Sequence, residues 1–154
     1  MDIRIATPDD KAAIVRHRRA MFEELGYGSP ALLEKMVETF DAWIGDQLKA
    51  GGFRGWVAVD DQDEVIGSAG LRIRGWGPRA RELAGKQGYV VGVYVDPAGR
   101  GQGAGRSLMQ TMMDWCAEYQ LDCLILHPSE KACDLYLSMG FVPEDDAYVW
   151  YPQQ

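Results

Sequence analysis

The sequence predicts an α/β (α+β) domain, a mixed central sheet with helices on both faces. Helix-period and strand-period stretches alternate along the 154 residues, the order expected of a layered fold. Tyr89–Val95 is a nearly uninterrupted apolar run, as in a central strand covered on both faces. That run leads through a glycine-rich turn into a long amphipathic helix. The predicted order is β-α-α-β-β-β-α-β-α-β-β, in one domain over residues 1–154.

Ile3–Ala6 reads as the first strand. Thr7 then takes an N-cap position and Pro8 the first helical position. Ile14, His17, Arg18, Met21, Phe22 and Leu25 recur at helical spacing until Gly26. Ser29-Pro30 opens a second helix in the same way. Leu33, Met36, Val37, Phe40, Ile44 and Leu48 form its stripe, and Gly51-Gly52 ends it. Phe53–Val59 and Val65–Ile73 read as strands joined by the turn Asp60–Asp63. A Gly- and Arg-rich loop, Gly75–Gly88, precedes the apolar run, which Asp96-Pro97 breaks. After the loop Gly101–Gly105, a helix carries Leu108, Met112, Trp115, Cys116 and Tyr119 on its core face. Cys123–Leu126 is a short strand, and Ser129–Met139 a helix ending at Gly140. Phe141–Val142 and Tyr148–Tyr151 are expected to close the sheet.

Charge and composition exclude several functions. A formal net charge of −7 is opposed to a nucleic-acid binder, which needs a basic face for phosphate. The apolar runs fall far short of a membrane span, and Met1–Asp10 has no apolar signal-peptide core. Cys116, Cys123 and Cys133 have neither disulfide-framework nor zinc-ligand spacing, so no metal is expected. Reduced thiols point to a cytoplasmic setting.

The stretch Val91–Arg106 carries the chemistry. The first N–H groups of a helix have no internal partner, and the helix dipole adds partial positive charge there. Glycines at 101, 103 and 105 allow close approach of an anion such as pyrophosphate, and Arg100 and Arg106 can neutralise it. A tight connection is the plainer reading of the same glycines. The turn lacks the spacing and early position of the dinucleotide fingerprint and the Gly-Lys-Ser/Thr of a Walker loop.

The run Arg100-Gly101-Gln102-Gly103-Ala104-Gly105 fits the Arg/Gln-x-x-Gly-x-Gly/Ala motif of the GNAT superfamily of acetyl-coenzyme A-dependent N-acetyltransferases, and the chain resembles that family. Leu135-Tyr136-Leu137-Ser138-Met139-Gly140-Phe141 is similar to the family's Leu-Tyr-x-x-x-Gly-Phe. Weaker similarity reaches the N-terminal Ile3-Arg4 and Ala6-Thr7-Pro8. A bacterial subgroup is nearer still, but it carries Asn where Gly92 stands and Ala where Pro128 stands.

The resemblance implies a fourth strand that splays from the fifth, with the pantetheine arm of acetyl-CoA pairing with Val93, Tyr94 and Val95. Gly92 fits a bulge there. It implies pyrophosphate binding by the backbone of Gly101, Gln102, Gly103, Ala104, Gly105 and Arg106. Ser129 stands where many members contact the cofactor arm; it also suits a helix N-cap. Tyr136 is implied as the general acid for the departing thiolate, although its spacing with Ala132, Leu135 and Met139 is equally that of a core residue.

The implied reaction is direct attack of a primary amine, on a small molecule or peptide, at the acetyl thioester. A backbone N–H near Tyr94 or Val95 would stabilise the acyl oxygen. No acid falls within Tyr89–Val95, so Glu23, Glu24, Glu82 and His127 stand as outside candidates for the base. Cys133 with His127 is the covalent alternative. A non-catalytic acetyl-CoA sensor or an interaction module on the same fold is the competing class, and a homodimer is compatible with either.

Overall fold

The computed structural model describes residues 1–144. Strand β1 (Asp2–Ile5) leads into a short helical turn and α1 (Lys11–Leu25). The Asp10 carboxylate accepts from the Thr7 backbone N–H at 2.7 Å and is gripped by both terminal nitrogens of Arg4 at 2.8 Å. Helix α2 (Pro30–Ala50) starts at the Ser29 cap, whose hydroxyl accepts from Leu32 N–H, and stops at Gly51. Strands β2 (Phe53–Val59), β3 (Val65–Gly75) and β4 (Lys86–Val95) follow. Then come α3 (Ala104–Glu118), β5 (Cys123–Ile125) and α4 (Cys133–Ser138).

The strands form one sheet in the order β1-β2-β3-β4-β5. The first three junctions are antiparallel, and α3 is the crossover that makes β5 parallel to β4. Side chains alternate between faces along a strand. On β2, Trp56 and Ala58 join Leu71, Leu108, Met109, Met112 and Tyr136 in the larger core, beneath α3 and α4. Phe53, on the opposite face, packs with Ile14 and Ile44 of α1 and α2.

Several boundaries differ from the sequence expectation. The ladder of β3 and β4 runs on to Gly75 opposite Lys86, so the two ends of the expected Gly75–Gly88 loop are strand, while residues 76–85 remain the connection. Tyr119 is 53 % exposed and lies beside the core rather than in it, stacked on Trp115. The helix expected from Ser129 begins as a short turn, and α4 proper starts at Cys133. Phe141–Val142 forms no strand among the described residues, and Tyr148–Tyr151 lies outside them.

Candidate active site

Two features of β4 open a cleft in the sheet. Its pairing with β5 runs only from Gln87 opposite Cys123 to Tyr89 opposite Ile125. Beyond Tyr89 the strand keeps β3 on one side and, among the described residues, has no strand on the other. Gly70 faces Gly92 while Leu71 faces Val90, so Val91 is an extra residue and β4 bulges there. The bulge falls beside the glycine that the sequence singled out. Val93 and Val95 are half-buried along the open stretch, and Tyr94 is buried.

The glycine-rich turn lies at the end of this strand. Gly101 (φ +77) and Gly103 (φ +82) hold the left-handed conformation that glycine tolerates, and a Cβ on either would meet nothing within 4 Å. Gly103 is the N-cap of α3 and offers no side-chain oxygen. Among the described residues, none of the backbone N–H groups from Gly101 to Arg106 has an acceptor; the next one, Ser107, donates to the Gly103 carbonyl. Six adjacent donors at a helix N-terminus, bordering open space, form an anion cradle. A Cβ on Gly105 would lie 3.8 Å from Val95 and 4.0 Å from Leu135, so the turn, β4 and α4 converge.

The two flanking arginines are held by the protein itself. Arg100 donates to Glu24 of α1 at 2.7 Å and to the Val95 carbonyl at 2.9 Å. Glu24 also accepts from the Tyr94 hydroxyl at 2.7 Å. Arg100 and Tyr94 together hold the Glu24 carboxyl below its ordinary range. Burial and the bond to Glu24 push Tyr94 up to about 12. Arg106 donates to the Ser138 hydroxyl at 2.6 Å, tying α3 to α4.

Tyr136 is buried, with its ring edge-on to Phe141 at 5.6 Å, and Val93 and Val95 pack against the same cluster. Its hydroxyl has no hydrogen-bond partner among the described residues, and burial raises its pKa, so it is a phenol at neutral pH. Ser129 is the N-cap residue of the turn before α4, but its side chain makes no cap bond and its hydroxyl has no partner among the described residues.

The other outside candidates are engaged elsewhere. Glu82 accepts from Arg79 and Gln87, and His127 packs against Tyr89. The Cys133 thiol donates to the Ser129 carbonyl at 3.4 Å rather than to His127.

Sequence reasoning placed His17 and Arg18 on a helical stripe and gave them no role. The structure sets both on a cleft between α1, α2 and the bulged strand. It is narrow and open to solvent on one side, and Ile14, Met21, Phe40, Phe53, Ser68 and Val93 also line it. His17 is 1 % exposed. Its Nδ1 lies 2.8 Å from the Ser68 hydroxyl and its Nε2 3.4 Å from Asp96. The nearby Arg16 Nη2 has two hydrogens for the Val65 carbonyl (3.1 Å) and Asp96 (2.8 Å). Arg16 Nη2 also lies 3.1 Å from Nε2, so two tautomers fit the site: Nε2–H donating to Asp96 with Nδ1 accepting from Ser68, or Nδ1–H donating to Ser68 with Nε2 accepting from Arg16. Burial outweighs Asp96 and lowers the His17 pKa, so the ring is neutral at pH 7. The signal was available: a histidine one turn from Ile14 on an apolar stripe needs buried partners.

Among the described residues no helix is long and apolar enough to cross a membrane, and no group of three His, Cys, Asp or Glu side chains is placed to hold a metal ion.

Comparison with known proteins agrees with the geometry. A GCN5-related N-acetyltransferase from Ralstonia eutropha JMP134 superimposes with a TM-score of 0.88 at 31% identity, covering 97% of each chain. A predicted acetyltransferase with acetyl-CoA from Clostridium acetobutylicum shares the fold at 19% identity, with a TM-score of 0.84 over 97% of this chain and 95% of that one. The ribosomal-protein-alanine N-acetyltransferase from Brucella melitensis shares it at 17% identity and a TM-score of 0.70, covering 98% and 99%. Residues 13–141 match the acetyltransferase (GNAT) family, and the chain belongs to it.

Proposed function

We propose that this chain is an acyltransferase that moves the acetyl group of acetyl-CoA to a primary amine of a small molecule or peptide by direct attack. The observation that carries this reading is the run of six unaccepted N–H groups from Gly101 to Arg106, at the mouth of the open β4 edge. That cradle fits a pyrophosphate, and the unpaired stretch at Val93, Tyr94 and Val95 fits the amide-bearing pantetheine arm, with the Ser129 hydroxyl available nearby in sequence to α4. Arg106, and Arg100 on leaving Glu24, add charge for phosphate. Bound acetyl-CoA supplies the acetyl group as an activated thioester.

The protein's own groups then do three things. Backbone N–H donors on β4 past the bulge stabilise charge on the acyl oxygen. On the acceptor side, with His17 in its Nε2–H tautomer, the amine gives its proton to Ser68 Oγ as the Ser68 proton passes to neutral His17 Nδ1, and Asp96 accepts from the far side of the ring. Tyr136 Oη donates a proton to the leaving sulfur, whose thiol pKa is about 8.5 on the cysteine scale. Cleft and cradle together hold amine and thioester in one place, which itself supplies much of the rate.

The experiment is an acceptor screen following thiol release from acetyl-CoA across polyamines, amino acids, aminated antibiotics and peptide N-termini. Turnover of at least one class, with a mass gain of one acetyl group on the amine, is expected. Tight cofactor binding with no turnover on any amine would contradict the enzyme and leave the non-catalytic acetyl-CoA-binding module.

A further inference from the structure

The acceptor-side cleft contains a single ionised side chain, Arg18, among its lining residues. The guanidinium lies between two aromatic faces, 4.7 Å from the Phe22 centroid and 4.9 Å from that of Phe40. Its Nη1 donates to the carbonyl of Val91, the bulged residue, at 2.5 Å. Its Nε is buried and has no partner among the described residues. Among the described residues no carboxylate faces it, and burial lowers its pKa without a compensating charge. A guanidinium stays charged regardless.

The contrast with the other arginines is informative. Arg4, Arg16, Arg19, Arg79 and Arg100 each meet a carboxylate within 2.8 Å. Those five are on the more exposed surface, where pairing gains little. Arg54, Arg72, Arg74, Arg81 and Arg106 also meet no carboxylate among the described residues, but Arg54 is half-buried on another face and the other four are exposed to water. Arg18 is the arginine on the cleft wall, with a buried, unpartnered Nε, where an unpaired charge is more costly. The acids around α1 are engaged elsewhere: Asp41 with Lys11, Asp96 with Arg16, Glu24 with Arg100 and Tyr94.

We infer that Arg18 is the binding site for an oxyanion carried by the acceptor, so the substrate class is a short amine bearing a carboxylate or a comparable acid group. This rests on the acetyl-transfer reading above. The geometry also limits the spacing within the substrate. Arg18 Nη1 is bonded to the bulge and lies 3.6 Å from where a Cβ on Gly92 would stand. An anion on Arg18 is therefore beside the strand segment at which the acyl carbonyl is received, and the amine must reach the same place. α- and β-amino acids, or aminophosphonates of similar length, satisfy both demands. A polyamine brings a second cation to a guanidinium and is repelled.

The test compares initial rates of thiol release for α- and β-amino acids with those for their own amides, with short aminophosphonates and with putrescine. The amide's amine is the weaker base, so any bias in available free amine runs against the expected result. The wild-type protein is expected to prefer the acids, and Arg18→Met to lower kcat/KM for them by about tenfold to a hundredfold, chiefly through KM, while leaving the amides and acetyl-CoA affinity unchanged. Arg18→Lys should restore part of the loss. The carboxylate and phosphonate arms identify which oxyanion is taken. Equal rates for acids and amides, or an equal fall for every amine in Arg18→Met, overturns the inference, the latter because Arg18 would then act on the acyl group or the fold. If no amine is turned over, N-acetyl amino acids and their amides are titrated calorimetrically into the protein with and without coenzyme A. Acid-selective binding lost in Arg18→Met supports the inference although the catalytic reading has failed, and unselective or absent binding overturns it.

Discussion

Ser68 on β3 and His17 on α1, 51 residues apart, meet across 2.8 Å in a bond on the wall of the cleft between α1, α2 and the bulged strand. Asp96 holds the other edge of the ring, and Tyr94 packs against it at 5.5 Å between centroids.

This burial makes stability depend on pH in a definite direction. His17 protonates near 6.5 in the unfolded chain and lower in the fold, because burial outweighs Asp96. On acidification the unfolded chain takes the proton first. The stability tied to His17 is therefore complete above about pH 6.5 and is lost as pH falls from there through the lowered folded pKa. Urea midpoints between pH 7.5 and 5 should fall less steeply in His17→Gln than in the wild type. Equal slopes would mean that the ring is not held neutral.

Gly70 stands opposite Gly92 at the bulge, and a Cβ there would lie 2.8 Å from the Phe53 ring and 2.9 Å from Val91 Cγ2. Both contacts are too close for any real side chain, so Gly70→Ala should cost about 1–3 kcal/mol of stability and narrow the cleft. The Cβ of Gly92→Ala would meet only Arg18 Nη1, at an ordinary 3.6 Å, and should cost about 1 kcal/mol or less. Thermal and urea unfolding of the two variants provides the comparison, and a Gly70→Ala protein as stable as Gly92→Ala would refute the bulge geometry.

Tyr136→Phe keeps the ring that packs on Phe141 and removes a hydroxyl with no partner among the described residues, so stability should change by about 1 kcal/mol or less. Turnover should fall, by about a hundredfold where proton donation limits the rate. The deficit should shrink as pH rises past the thiol pKa of about 8.5, where the thiolate leaves unaided. The wild-type to mutant ratio from pH 6 to 9.5 measures this. A ratio near one throughout, with chemistry limiting, would make Tyr136 a packing residue alone.

Local signals made much of the fold legible. Ser29-Pro30, Gly26, Gly51 and Asp96-Pro97 punctuate the chain where the elements begin and end. The hairpin of β3 and β4 is longer than the expected strands because Arg74, Lys86 and Gln87 extend the ladder with polar residues, as backbone pairing permits. The turn with six unaccepted N–H groups, proposed for phosphate, was legible because a glycine turn and a helix N-terminus are contiguous in sequence. The acceptor side was not. His17 with Ser68, and Arg18 with the Val91 carbonyl 73 residues away, are paired only by the packing of α1 on the sheet, and periodicity reports that a residue faces inward without saying what it meets.

Calorimetric titration of the whole protein with acetyl-CoA tests the central claim most directly. One site per chain is expected, with a dissociation constant in the range of about 1 μM to 1 mM typical of enzyme substrates, displaced by coenzyme A and not by NAD. Gly103→Val should weaken it by blocking the open space beside a φ of +82 from which the unaccepted N–H groups face the ligand. Absence of binding at millimolar acetyl-CoA, or undiminished affinity in a folded Gly103→Val protein, would contradict the placement of the cofactor in this cleft.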